Sequence, residues 1–186
     1  AIGWYGNRGD EVLDEFSSHG EGFLADVCAE WEHATASATV PVAHLRTGFV
    51  ISTRGGALKR QLPLFRFGLG AYLASGRQWM SPIALVDEVR AILWTIDHRV
   101  EGPVNLVGPE PTTNRAFSEA LGAELQRPVV LRAPRMALSV ALGAEMADEL
   151  LLASQRVVPR RLLETGFEFI ARDSASMIHW ALGTHG

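Results

Sequence analysis

The chain has one cysteine, Cys28, and one lysine, Lys59, among its 186 residues. A lone cysteine excludes an internal disulfide framework, so the fold has to rest on its core. That usage fits a reducing compartment, and a cytoplasmic location is expected. The six histidines are scattered, and none has the i, i+4 spacing of a helix-borne zinc pair, so no metal site is expected. Gly-x-Ser-x-Gly, Gly-x-Gly-x-x-Gly and the P-loop pattern are all missing. No apolar run is long enough for a bilayer, and no secretory leader pattern opens the chain. Acidic residues outnumber basic ones, 21 to 17, for a net charge of −4. That balance argues against a nucleic-acid partner. Hydrophobic residues make up 47% and charged residues 20%, the composition of an ordinary globular core.

What is present alternates. Helical spacing runs over Phe23 to Ala34, with Phe23, Leu24, Val27, Cys28 and Trp31 on one stripe. The region from Asn7 to Gly22 is polar and reads as a loop. Val40 to Leu45 reads as a strand, Phe49 to Ile51 as extended, and Ala57 to Phe67 as a helix disturbed by Pro63. Gln78 to Leu85 is extended. Val86 to Asp97 is predicted to be a helix facing Val89, Ile92, Leu93 and Ile96 inward. Val104 to Val107 and Val129 to Leu131 read as strands, with a helix capped at Thr113 or Asn114 between them. Helices are predicted at Pro134 to Leu142, Ala144 to Ser154, Pro159 to Glu164 and Ser174 to Leu182, and an extended stretch at Phe167 to Ile170. Strands alternating with helices imply an α/β fold with a parallel sheet. The boundary is placed at 131/132, between a sheet-bearing part, 1–131, and a small mainly helical part, 132–186. The first residues, Ala1 to Gly6, look like the end of a buried strand, which suggests the C-terminal part of a larger α/β unit.

Three segments carry candidate chemistry. Tyr5-Gly6-Asn7 and Leu45-Arg46-Thr47-Gly48-Phe49-Val50 are strand ends, where open α/β sheets bind ligands. Gly76-Arg77-Gln78-Trp79-Met80-Ser81 mixes a cation, an amide and an indole, as polar substrates meeting an apolar wall require. Each alone is equally well read as a strand end with an ordinary turn. Cys28, on an apolar stripe, reads as a packed residue rather than a nucleophile.

Together these segments, with Gly22 to Glu32, Ser75 to Ser81, Asp87-Glu88-Val89 and Leu150 to Pro159, resemble one family. It is an atypical branch of the extended short-chain dehydrogenases, the NAD(P)-dependent epimerase family proteins that end in a small domain of unknown function. The resemblance implies a Rossmann-type doubly wound parallel sheet whose first half precedes Ala1, and NADP or NAD as cofactor. The Gly-rich pyrophosphate loop and a catalytic Ser or Thr would also precede Ala1. It assigns Tyr5, Arg46, Gly48, Phe49 and Val50 to the cofactor side, and Arg77, Gln78 and Trp79 to a small-molecule substrate of unknown identity, nucleotide-linked compounds among the candidates. A second copy, or a chain supplying the missing strands, is the other expected partner.

One departure is chemical. Extended members carry Tyr-x-x-x-Lys on the helix read here as Phe23 to Ala34, where the lysine lowers the tyrosine pKa for proton transfer. The matching positions hold Leu24 and Cys28, and a shift by one gives Phe23 and Val27. Gly55 stands four residues before Lys59, so no register restores the pair. The catalytic residues are therefore unassigned, and two functions stay open: an oxidoreductase or epimerase-like enzyme, or a cofactor-binding sensor or interaction module without turnover.

Overall fold

The computed structural model describes residues 1–143 and 147–183. After a 3₁₀ turn, Ile2–Tyr5, come β1 (Val12–Leu13), α1 (Phe23–His33), β2 (Ala43–Thr47), β3 (Phe49–Ile51) and α2 (Gly56–Arg66). Next are β4 (Ala71–Leu73), β5 (Trp79–Met80), β6 (Pro82–Ala84), α3 (Leu85–Asp97), β7 (Gly102–Leu106), β8 (Thr112–Thr113) and α4 (Asn114–Glu124). The chain continues through β9 (Leu131–Ala133), α5 (Arg135–Leu142), a π-helical stretch Ala147–Leu152, β10 (Arg156–Val157), α6 (Arg160–Glu164) and α7 (Ser174–Gly183). The strands pair β1 with β10, β2 with β7, β3 with β6 and β4 with β9, all parallel, and β5 with β8 antiparallel. This is the expected α/β architecture with parallel pairing.

One glycine sets the geometry of the centre. β2 runs beside β7 from Ala43↔Gly102 to Thr47↔Leu106, and β3 then runs beside β6 from Phe49↔Pro82. The change of partner falls on Gly48, whose N–H bonds Leu106 O at 3.0 Å while Phe49 N–H bonds Ser81 O at 3.0 Å. A Cβ at position 48 would stand 2.3 Å from Ser81 O and 2.6 Å from Val107 Cγ1. Glycine is required here by the neighbouring strands themselves, before any ligand is considered.

Apolar residues gather in three clusters among the described residues. Ile51, Leu58, Leu62, Phe65, Phe117 and Ile178 tie α2, α4 and α7 to β3. Ile83, Val104, Leu106, Leu162 and Phe167 fill the space under β6, β7 and α6. Tyr5, Leu13, Val107 and Val157 form the third. Each cluster draws residues from both sides of 131/132. Pro63 lies inside α2 without breaking it, because Leu58, Leu62 and Phe65 bury the inner face while Pro63 sits on the exposed one. Burial of three such side chains, about 1.5–3 kcal/mol each, outweighs one lost backbone bond.

Several elements differ from the sequence reading. Val89, Leu93 and Ile96 of α3 are 50%, 55% and 66% exposed; the buried face is Asp87, Glu88, Ala91 and Thr95. The reason is Asp87, whose carboxylate accepts the N–H groups of Ile170 and Ala171 and the Arg90 guanidinium, fixing that face inward. On α1, Phe23 and Trp31 are exposed, and Ala25 and Cys28 are buried. Ala1 to Gly6 holds a 3₁₀ turn, Ile2–Tyr5, rather than the end of a strand, because its backbone bonds locally, Gly6 N–H to Gly3 O at 3.0 Å. The polar loop of Asn7 to Gly22 contains β1, and Phe167 to Ile170 forms no strand. β2 and β9 begin later than expected, at Ala43 and Leu131, and β4, β8 and β10 were not foreseen. The predicted helix at Ala144 to Ser154 lies partly outside the described residues; its described part is the π-helical stretch.

Candidate functional site

The strand switch at Gly48 opens a cavity of about 380 Å³ at the carboxyl end of β2. One wall is α1, through Leu24, Val27, Cys28 and Trp31. The floor is Thr47, Gly48 and Phe49, facing Trp79, Met80 and Ser81 of the β5–β6 segment. The C-terminal segment closes the remaining side with Glu149, Leu151, Ala153 and Gln155. Gln61 of α2, Leu73 and Asn114 complete the rim.

Most polar atoms at this surface are committed to the scaffold. The Thr47 hydroxyl donates to Glu88 Oε1 at 2.9 Å. The Ser81 hydroxyl donates to Gln155 O at 2.8 Å and accepts Val157 N–H at 2.9 Å. Asn114 accepts Leu73 N–H at 2.7 Å and donates to the Met80 sulfur at 3.3 Å. Gln155 donates to Ile2 O at 3.1 Å. The Glu149 carboxylate accepts Phe23 N–H at 3.0 Å and Leu24 N–H at 2.8 Å, capping α1 from 125 residues away in sequence. That placement satisfies two N–H groups the first helical turn cannot bond internally and sets a negative charge at the positive end of the helix.

Trp79 is held by two partners. Its Nε1–H donates to Asp10 Oδ1 at 2.8 Å, and the Arg156 guanidinium lies 4.3 Å from the ring centroid. The indole reaches the cavity as an anchored flat wall.

Of the residues singled out in the sequence, Gly48, Phe49 and Trp79 meet at the cavity. The others lie elsewhere. Tyr5 is fully buried, donating to Asn105 Oδ1 at 2.7 Å and accepting from Arg46 at 3.0 Å. Arg46 is 3% exposed, forks onto Glu32 at 2.7 and 2.8 Å and lies 4.0 Å over the Trp4 ring. Burial works against the Arg46 charge, and the Glu32 carboxylate and Tyr5 hydroxyl outweigh it, so its pKa stands above the ordinary value. Burial pushes the Tyr5 phenol up, with Arg46 pulling it partly back. Val50 packs against the second apolar cluster. Gln78 is buried, and its amide donates to Leu73 O at 3.3 Å. Arg77 is exposed after the turn that follows β4 and does not line the cavity.

The sequence reading missed Glu149, Gln155, Gln61 and Asn114. No local signal marks them, because each is brought in by tertiary contact. Leu24 and Cys28, the positions matching the absent Tyr and Lys, do line the cavity. Among the described residues no group of three His, Cys, Asp or Glu gathers as metal ligands, and no helix is long and apolar enough to cross a membrane.

The chain as a whole is similar to known proteins. A family model described as a domain of unknown function, DUF1731, matches residues 133–181. An epimerase family protein of Mycobacterium bovis is 50% identical over 173 residues, covering 91% of this chain and 57% of that protein. The chain thus spans little more than half the length of that relative. The crystal structure of human epimerase family protein SDR39U1 (isoform 2) with NADPH superposes with a TM-score of 0.91 at 27% identity, covering 98% of this chain and 63% of that one. A nucleoside-diphosphate sugar epimerase from Corynebacterium glutamicum gives 0.72 at 35% identity, covering 99% and 36%.

Proposed function

Because the chain belongs to the epimerase family, an atypical branch of the extended short-chain dehydrogenases ending in the domain of unknown function, we propose that it forms the nicotinamide-side and substrate-side walls of an NAD(P)-dependent epimerase- or oxidoreductase-type site. The observation that carries this reading is the cavity at the Gly48 strand switch. It lies where the chain changes strand partner at Gly48, its walls are largely apolar, and it opens at the carboxyl end of a parallel strand, where ligands of α/β sheets sit. Gly48, Phe49 and the α1 wall would hold a flat nicotinamide end, and the human relative crystallised with NADPH supports the match. When bound, the nicotinamide supplies or takes a hydride. Gly48 and Phe49 would hold its ring edge, Trp79 and Met80 would orient the substrate, and Leu24, Val27 and Leu151 would exclude water.

A second reading rests on the cavity's proton donors. Leu24 and Cys28 stand where the family's Tyr and Lys would be. Both lining hydroxyls, Thr47 and Ser81, already donate to protein acceptors. Such a surface suits a cofactor-binding module without turnover. The deciding experiment uses the protein at the full length of its relatives. NADPH binding is followed by calorimetry, and NADPH absorbance is then followed against a broad panel of carbonyl compounds. Oxidation with any of them supports the enzyme, and binding without oxidation supports the module. Failure to bind NADPH sinks both.

A further inference from the structure

We propose that the compound accepted beside the cofactor is uncharged and largely apolar, carrying one carbonyl or hydroxyl and a flat face, and that it is not a sugar nucleotide. This rests on the reading of the cavity as the ligand site and adds the class of ligand. Among the described lining residues none is arginine, lysine or histidine, and the charged side chain present is the Glu149 carboxylate. A diphosphate in this space would face that carboxylate with no guanidinium or ammonium to pair it, the arrangement a low-dielectric site penalises most.

The nearby arginines are turned away by the fold. Arg46 is consumed by Glu32 and Tyr5 on the far side of β2. Arg156 follows Gln155 along the chain. Gln155 lines the cavity, whereas Arg156 is not among the lining residues and its guanidinium stacks on the Trp79 ring, 4.3 Å from the centroid. Arg77 is exposed and is not among the lining residues.

What the cavity does offer is apolar surface from Leu24, Val27, Phe49, Leu73, Met80 and Leu151. The anchored Trp79 indole gives one rigid flat wall, suited to an aromatic ring or the apolar face of a ring system. The Gln61 amide is a neutral group able to orient a single polar atom, and the Thr47 oxygen, whose proton goes to Glu88, can only accept from one. A volume of about 380 Å³ sits at the small end of ligand cavities. Shared with a nicotinamide ring, it leaves room for a compact molecule.

The test titrates benzylacetone, a neutral aryl ketone, and UDP-glucose into the protein at the full length of its relatives, with and without NADPH, reading tryptophan fluorescence and calorimetric heat. Benzylacetone is expected to bind saturably and UDP-glucose to fail to displace it. Trp79→Ala should weaken benzylacetone by roughly tenfold or more, while Trp79→Phe, which keeps a flat ring, should stay close to the unmodified protein. Tighter binding of UDP-glucose, no saturable binding of benzylacetone, or equal affinity in Trp79→Ala would overturn the proposal. Failure to take up NADPH would sink the cofactor reading instead, and the comparison of the two probes would then be read in the protein without cofactor.

Discussion

Arg46 donates from all three of its guanidinium nitrogens inside the protein, two to Glu32 and one to Tyr5. Tyr5 passes the chain of bonds on to Asn105, whose backbone N–H reaches Glu15 Oε1 at 3.0 Å. His44 closes the other side, 3.5 Å from Glu32 and 2.8 Å from the Thr35 hydroxyl. These residues join the 3₁₀ turn, α1, β2 and β7 through polar contacts that no apolar cluster supplies. A buried charge pair is expensive to break, because the surviving partner keeps its desolvation cost. Arg46→Leu is therefore expected to cost about 3 kcal/mol of stability, read as a shift in the denaturation midpoint. An unchanged midpoint together with weakened NADPH binding would return Arg46 to the cofactor side, where its strand-end position first suggested it.

At the scale of elements, the sequence was a good guide to which segments are helices and a poor one to which face they bury. Helix spacing in Phe23 to Ala34 and Val86 to Asp97 located α1 and α3 to within a residue or two. Hydrophobicity then chose Val89, Ile92, Leu93 and Ile96 as the inner face, and only Ile92 packs inward, because nothing in the local pattern shows that Asp87 will bond the backbone at Ile170 and Ala171. Short strands such as β1 and β10 were invisible for a related reason: two residues carry no periodicity, and only their mutual pairing, Val12↔Arg156, makes them strands. The same long-range logic governs the cap of α1. Gly22, with φ 114°, offers no side-chain cap, and the Glu149 carboxylate arrives from the C-terminal segment instead. Glu149→Ala should cost about 1 kcal/mol, a fall of roughly 2–4 °C in melting temperature. Glu149→Gln, which keeps the acceptor and loses the charge, should fall between. Equal melting temperatures for all three proteins would show that the helix end is satisfied by water and that the segment does not hold α1.

For the whole molecule, the candidate cavity was touched by the sequence reading at a strand end, Gly48 and Phe49, and at the indole of the 76–81 stretch, Trp79, and was illegible where burial decided. Tyr5, Arg46 and Gln78 are residue types that serve ligands or scaffolds equally well, and their networks exist only after folding. Burial also shapes stability against pH. It pushes the Glu15 and Glu88 carboxyls above the ordinary 4.5, with the Asn105 N–H and the Thr47 hydroxyl pulling each only partly back. One oxygen of each is buried without a hydrogen-bond partner among the described residues. Folding thus favours their protonated forms. The stability they contribute is full below 4.5 and is lost as pH rises through the raised values. Asp14 and Asp173 act in the opposite sense. Burial works against the Asp14 charge but is outweighed by the Phe16 N–H and the Arg160 guanidinium, and the Ser176 N–H and hydroxyl hold Asp173 down. Their contribution is present above 3.8 and lost as pH falls through the lowered values. Glu88→Gln removes one of the two groups on the alkaline side. The amide keeps an acceptor for Thr47, and any cost of its second N–H is the same at every pH. The margin in melting temperature between Glu88→Gln and the unmodified protein should therefore grow in favour of the variant from about pH 5 to about pH 8. A margin that stays flat or shrinks over that range would show that Glu88 is charged in the fold at no cost, and that the space beside Thr47 is wetter than its burial implies.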